Sequence, residues 1–383
     1  MSEVRAHPDA MSRCRTAQAG RIAAVRAALD WLCASQDAAG AGGSCAYYVP
    51  WWGWFPPYPE TTGYIIPTLL RAATAYGNPD YAARALRMGE WLLTLQMPDG
   101  AFPGGLYRAG RPGRPSVFNT AQILFGFCAA HEHSKDPRFR EAAESGAAWL
   151  VREQDDDGRW RKHAYCPGFS PSYYAHVCLP LSLVWKHWGD EDVLQSVERG
   201  LEAVLSDRLE NGAFRNWGFR PGTPAFTHTI GYTFQGLLEC ARNLGAWDRF
   251  GAPAADSCAR LMRRCEIAGR IAGSYDGKWA GDFRFACLTG HCQLASAWLR
   301  VYERDGDPRY LNVALKALDE VIRRQRHCPN RPHLHGAIAG SHPLQGSYLT
   351  FRYPNWAAKF FTDAMMDLDA HLSGFVTGGL GDG

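Results

Sequence analysis

Three histidines sit near the start of apolar helical stretches, each close to aromatic residues: His176 in PSYYAHV, His228 in AFTHTIGY and His291 in CLTGHCQ. A neutral imidazole is a base near neutral pH, and a phenol beside it can act as an acid. His228, His291 and His176, with Tyr232 and Tyr353, therefore form a candidate proton-transfer set. His228 lies between two threonines, where packing explains it less easily, and Gly290 lets the backbone approach a partner closely beside His291. A second group could hold a substrate: Glu60 and Tyr64 in PETTGY, Asn119 in VFNT, Arg352 and Asn355 in FRYPN, and Trp52 and Trp54 in WWGWF. The aromatic run suits a lid or a stacking platform. Structural roles compete for several of these positions. Glu60 could form a capping box with Thr61 or Thr62, Asn119 could be an N-cap, and His176 could be a satisfied core histidine. Removing a proton next to a carboxylate needs an Asn, His or Arg on the carboxylate and a His or Tyr as acid and base, and this set contains all of them.

Such residues must be positioned by something, and the chain carries a repeat that can do so. WLCASQ, WLLTLQMPDGAF and WLVREQDDDGRW share one pattern, a helix end with Gln followed by a turn with Gly. Degenerate copies follow in LSDRLENGAF, IAGSYDGKW and VIRRQRHCPNRPHLHGAI. Their glycines, Gly100, Gly158, Gly212, Gly277 and Gly336, recur roughly every 60 residues, the signature of a supersecondary repeat. Each turn leads to a helix that is apolar nearly all round and rich in small residues. Most of these lead on to a helix that is apolar on one face only, such as DPRYLNVALKALDEVIRR. Asn-Pro and Asp-Pro pairs mark starts of the second kind. The pattern predicts an all-α fold, an (α/α)6 toroid of six helical hairpins with Q-x-x-D-G-x-W turns. It would span residues 19–373 as a single domain, between a flexible 1–18 tail and a disordered 374–383 tail. Inner-helix N-termini gathered at one rim would favour an anion.

The Q-x-x-D-G-x-W/F turns resemble those of the prenyltransferase and squalene/terpenoid cyclase superfamily, over roughly residues 24–372. The resemblance implies architecture, since those turns brace the outer layer. The cyclase motif D-x-D-D and the diphosphate motif D-D-x-x-D are absent. Asp282, Cys287 and His291 contain the residue types of the prenyltransferase zinc triad, without its spacing. The chain looks closer to prenyltransferase-like toroids associated with surface polysaccharides.

Composition narrows the field. With 383 residues, 46% hydrophobic content and a formal charge of +3, the chain offers no basic footprint for nucleic acid. No apolar run is long enough to span a membrane. Twelve scattered cysteines and an N-terminal stretch without an apolar signal segment fit reduced thiols and a cytoplasmic protein. No P-loop, Rossmann or G-x-S-x-G fingerprint occurs, so no cofactor is expected, and zinc at Asp282, Cys287 and His291 is the alternative. Toroids of this shape resemble those of polysaccharide lyases and uronate epimerases. The leading expectation is a carbohydrate-active enzyme acting on an anionic small molecule or acidic, uronate-type glycan by His/Tyr acid–base chemistry in the central cavity. An isoprenoid cyclase or transferase and a non-catalytic glycan-binding toroid are the alternatives.

Overall fold

The computed structural model describes residues 8–111 and 113–378. Among them, twelve α-helices alternate between two concentric layers. The inner layer is α2 (Pro59–Tyr76), α4 (Val117–Ser134), α6 (Ala175–Trp188), α8 (Thr227–Leu244), α10 (Leu288–Asp305) and α12 (Asn355–Gly378). The outer layer is α1 (Pro8–Ala39), α3 (Pro79–Leu93), α5 (Pro137–Arg152), α7 (Glu191–Leu205), α9 (Ala252–Ala268) and α11 (Pro308–Arg324). Each inner helix packs on the next, α12 packs on α2, and α1 packs on α12, so the ring closes as an all-α toroid. α1 begins at Pro8, so much of the stretch read as an N-terminal tail is helical, and α12 continues to Gly378. Residues 1–7 and 379–383 lie outside the described residues.

Sequence explains the layering. Asn78, Asp136 and Asp307 cap α3, α5 and α11 by accepting the backbone N–H two residues on, each with Pro at the first helical position. Outer helices bury one stripe, whereas inner helices are buried on both sides, and their small residues allow close approach. A Cβ at Gly126 of α4 would lie 2.6 Å from the Gly63 carbonyl oxygen of α2.

The repeated turn sets the spacing between outer helices. In four hairpins the Gln side-chain amide donates twice, once inside its own turn and once to the next outer helix. Gln36 reaches Gly42 O and Arg84 O, both at 3.0 Å. Gln96 reaches Gly100 O at 3.2 Å and Ala142 O at 2.9 Å. Gln154 reaches Gly158 O and Ser196 O at 2.9 Å. Gln325 reaches Gly336 O at 3.0 Å and Ala24 O at 2.9 Å, which joins the last outer helix to the first. The turn glycine then rests on that neighbouring helix. Gly158 has φ 80°, and a Cβ there would stand 2.3 Å from the Arg199 carbonyl oxygen. From α7 to α9 the bridge is Arg208, which bonds Ser257 Oγ at 3.1 Å and pairs with Asp256. At the α9-to-α11 step the turn IAGSYDGKW supplies no glutamine. Gly277 there has only a Leu209 methyl at 3.6 Å from a Cβ position, and Trp279 takes the positive φ of 67°.

Short strands that the helical pattern did not foretell cover one rim. Tyr47–Val49 pairs antiparallel with Gly53–Trp54 and with Tyr353–Pro354, tying the first loop to the last. The WWGWF run is thus a hairpin, with Trp51 and Trp52 exposed at its tip and Trp54 packed on Trp31 at 5.0 Å.

Gly158→Ala is expected to lower stability by roughly 2–4 kcal/mol, from an unfavourable φ and a backbone clash. Gly277→Ala should change it by less than about 1 kcal/mol. Urea unfolding of the two variants checks this, and equal effects would contradict the role given to the turn.

Candidate functional site

The rim formed by the inner-helix N-termini converges on Tyr232, one turn into α8. Its ring lies between two imidazoles, His176 of α6 and His228 of α8, with both centroid separations 4.4 Å. All three side chains are buried, none more than 5% exposed. Each histidine is gripped by a glutamine from the inner helix beyond it. His176 Nδ1 lies 2.8 Å from Gln122 Oε1, whose amide nitrogen donates to the His176 carbonyl at 2.9 Å. His228 Nδ1 lies 2.6 Å from Gln293 Oε1, whose amide nitrogen faces Gln235 Oε1 at 3.4 Å. A carbonyl-type oxygen only accepts, so each Nδ1 carries the proton and donates. The lone pair of each neutral ring is then on Nε2.

Electrostatics keep this centre uncharged. Burial pushes His228 down to about 4, against a partial opposing effect from Gln293. Burial, then the nearby Lys359 and His228, holds His176 well below the ordinary imidazole range. Tyr232 is driven upward, first by burial and then by the neighbouring Glu60, and it shares a hydrogen bond with Tyr64. Glu60, at the start of α2, accepts a 2.5 Å hydrogen bond from the Tyr58 hydroxyl. Burial raises its carboxyl to about 7 from an ordinary 4.5, and the Tyr58 bond offsets part of that rise. The folded chain therefore holds the Glu60 proton where the unfolded chain has lost it. Its contribution to stability is fully present below 4.5 and is lost as pH rises to about 7. His228 acts in the opposite sense. The unfolded imidazole takes up a proton first, so stability falls as pH drops from 6.5 to about 4.

Aromatic side chains enclose the centre. Tyr173, Phe118, Tyr348 and Phe360 pack around the two histidines and Tyr232. Lys359 lies over the rings of Tyr64 and Phe360 and is paired with Asp363 at 2.7 Å. A mouth of about 420 Å³ lies beside the cluster, lined by Tyr165, Phe219, Arg220, Phe226, Asp282 and Phe285 among others. Phe219 stands 6.1 Å from His228 and Phe226 5.2 Å from Tyr348, so these two rings separate the mouth from the histidines.

Of the residues singled out from sequence, the structure brings together His176, His228, Tyr232, Glu60 and Tyr64. It places the others elsewhere. His291 donates from Nδ1 to the Cys287 carbonyl at 2.9 Å and lines a separate cavity between α9 and α11. Tyr353 is in the strand that pairs with Tyr48. Asn355 is wholly buried and spends its amide on Ser44, Cys45 and Thr61, tying the first loop to α12. Asn119 bonds the Pro103 carbonyl and Ser116 at the start of α4. Arg352 lies over Tyr47, 5.1 Å from the ring centre, Trp54 packs on Trp31, and Trp52 is exposed. The alternative zinc set does not form. Asp282 is held by Arg284 at 2.7 Å, and burial pushes the Cys287 thiol up to about 12. Among the described residues, no group of three or more His, Cys, Asp or Glu side chains is arranged to hold a metal ion. Likewise, no helix among them is long and apolar enough to cross a membrane.

Sequence reasoning missed Gln122, Gln293, Tyr58 and Lys359, whereas Tyr348, which it read as a wall residue, does pack against His228. A polar side chain in a helix that is apolar all round was the available signal: Gln122 in NTAQILF, Gln293 in GHCQLA and Lys359 in NWAAKFF.

Neither a protein-family model nor a curated protein sequence matches the chain. Solved structures do. An unsaturated glucuronyl hydrolase specific for heparin aligns with a TM-score of 0.72 at 14% identity, over 92% of this chain and 98% of that one. A sugar epimerase from a ruminal bacterium gives 0.71 at 11% identity, over 85% and 92%. The cellobiose 2-epimerase of Spirochaeta thermophila gives 0.63 at 17% identity, over 90% and 94%. At these identities the likeness shows the fold, an α/α toroid. It leaves unaddressed the prenyltransferase and cyclase branch suggested by the turns.

Nitrogen-15 NMR of histidine-labelled protein should show both His176 and His228 as neutral, Nδ1-protonated rings at pH 7, with His228 titrating near 4. An Nε2-protonated tautomer at either position would contradict the assigned grip of the glutamines.

Proposed function

We propose that the chain is an enzyme that moves a proton at a sugar carbon, of epimerase or lyase type, on an acidic, uronate-type glycan or a fragment of one. One observation carries this reading: two neutral histidines flank Tyr232, each with Nδ1 fixed by a glutamine, beside a carboxylic acid that keeps its proton to about 7. Nε2 of His228 makes no hydrogen bond among the described residues and is available to take a proton from the carbon next to the substrate carboxylate. The enolate formed is stabilised by donors already in place, the Tyr232 phenol and the Glu60 carboxylic acid. In an epimerase the Tyr232 phenol gives its proton to the opposite face of the carbon, and the abstracted proton then passes from His228 to the phenolate left behind. In a lyase it goes to the departing glycosidic oxygen.

Hydrolysis fits this centre less well. Its acid, Glu60, has no facing free carboxylate, since Asp363 is already engaged by Lys359 and Thr68. The substrate class is supported by the structural neighbours, which include an unsaturated glucuronyl hydrolase and sugar epimerases. An anionic substrate is further favoured by Arg220 at the mouth, which makes no ion pair among the described residues. Phe219 and Phe226 must move aside for a sugar to reach the histidines.

The test is solvent exchange. Glucuronate-containing oligosaccharides and neutral disaccharides are incubated with the protein in deuterium oxide and followed by proton NMR. Loss of the proton next to the carboxylate is expected, falling by about 10²–10⁴-fold in His228→Ala. The kcat/KM of that exchange should drop below about 4, as His228 takes up a proton, and above about 7, as Glu60 loses one. Exchange on neutral sugars alone would overturn the acidic-sugar assignment, and no exchange on either would overturn the reaction class.

A further inference from the structure

A second cavity of about 550 Å³ lies away from the histidine pair, between α9, α11 and the loop before α10. Its position follows from the repeat. The α9-to-α11 step supplies no turn glutamine, so no side-chain amide ties these two helices across their ends. The room left there is lined by chemistry unlike that of a packing defect. Five Arg and Lys side chains face two carboxylates, Glu266 and Glu320. Glu320 is already engaged by Arg323 at 2.7 Å and Arg324 at 3.0 Å. Arg270 and Lys316 make no ion pair among the described residues, and Arg270 lies over the Phe283 ring at 5.0 Å. From the inner wall comes His291, only 3% exposed, with Nδ1 committed to the Cys287 carbonyl and, among the described residues, no hydrogen bond at Nε2.

We infer that this cavity is a binding site for a phosphorylated compound with a hydroxyl-bearing ring, of the sugar phosphate or nucleotide kind. The unpaired guanidinium and ammonium groups meet the phosphate, the charge-assisted contact for which Arg and Lys are suited. Nε2 of neutral His291 has a lone pair and no proton, so it accepts from a ligand hydroxyl. Phe283 and Phe285 give the ring an apolar wall, and the volume is that of a site for one small molecule. The site shares Phe285 with the mouth beside the histidine–tyrosine centre but none of the proton-transfer residues, so it stands or falls separately from the proton-transfer reading.

Calorimetric titration of the full chain with uridine diphosphate, glucose 1-phosphate and inorganic diphosphate tests it. Saturable binding of uridine diphosphate or glucose 1-phosphate is expected, the preferred one identifying the source of the ring. The double variant Arg270→Ala, Lys316→Ala should weaken it by about tenfold or more, with an unchanged melting temperature. His291→Phe should weaken the ring-bearing probes and leave inorganic diphosphate unaffected, while His228→Ala should bind as the wild type does. No saturable binding of either ring-bearing probe, or undiminished affinity in the double variant, would overturn the assignment. Equal affinity for inorganic diphosphate would overturn the ring-binding wall.

Discussion

The toroid depends on one small polar contact made repeatedly. A glutamine amide at the end of an outer helix has two N–H groups, and both are spent on backbone carbonyls, one in its own turn and one on the next outer helix. Carbonyls near helix ends and in turns need donors, and a planar amide supplies two in a fixed geometry. The turn glycine removes the side chain that would otherwise hold the helices apart. Spacing between outer helices is therefore set by chemistry rather than by bulk packing, and the inner helices inherit it. The Gln325 contact to Ala24 applies the same device between the two ends of the chain. Where the device lapses, between α9 and α11, the wall has a cavity instead of a seam.

Inside the ring, the physical problem is to bury ionisable groups without burying charge. The centre solves it by neutrality. Histidines are held deprotonated, tyrosines and Glu60 are held protonated, and the cation of Lys359 is matched by Asp363. A neutral acid and neutral bases packed within one aromatic shell carry no ionic desolvation cost at rest. The same neutrality gives the centre opposing pH limits, about 4 from His228 and about 7 from Glu60.

Much of this was legible in the sequence because it is periodic or local. The Gln and Gly of each turn repeat, the Asn-Pro and Asp-Pro caps act within two residues, and His176, His228, Tyr232, Glu60 and Tyr64 all sit at inner-helix starts that the toroid brings to one rim. What escaped was long-range partnership. Gln122 and His176 are 54 residues apart, and His228 and Gln293 are 65 apart, so no spacing rule links them. His291 opens an inner helix as His228 does. It sits two residues further into its helix, and its cavity-facing side looks outward rather than to the ring centre. Asn355 and Asn119 read as substrate ligands because Asn is polar beside aromatics, yet the covering loops needed donors for their carbonyls and took those amides. The strands formed by Tyr47–Val49, Gly53–Trp54 and Tyr353–Pro354 are too short to leave a pattern.

The central claim is that the ring holds a proton on Glu60 near neutrality, ready for transfer. A carbon-13 NMR titration of the glutamate carboxyl groups, with Glu60→Gln identifying the resonance, tests it most directly. The account predicts that the Glu60 carboxyl titrates near 7, and that the stability of Glu60→Gln relative to the parent rises as pH climbs from 4.5 to about 7. Titration at the ordinary glutamate value of 4.5, with no pH dependence of that stability difference, would contradict it.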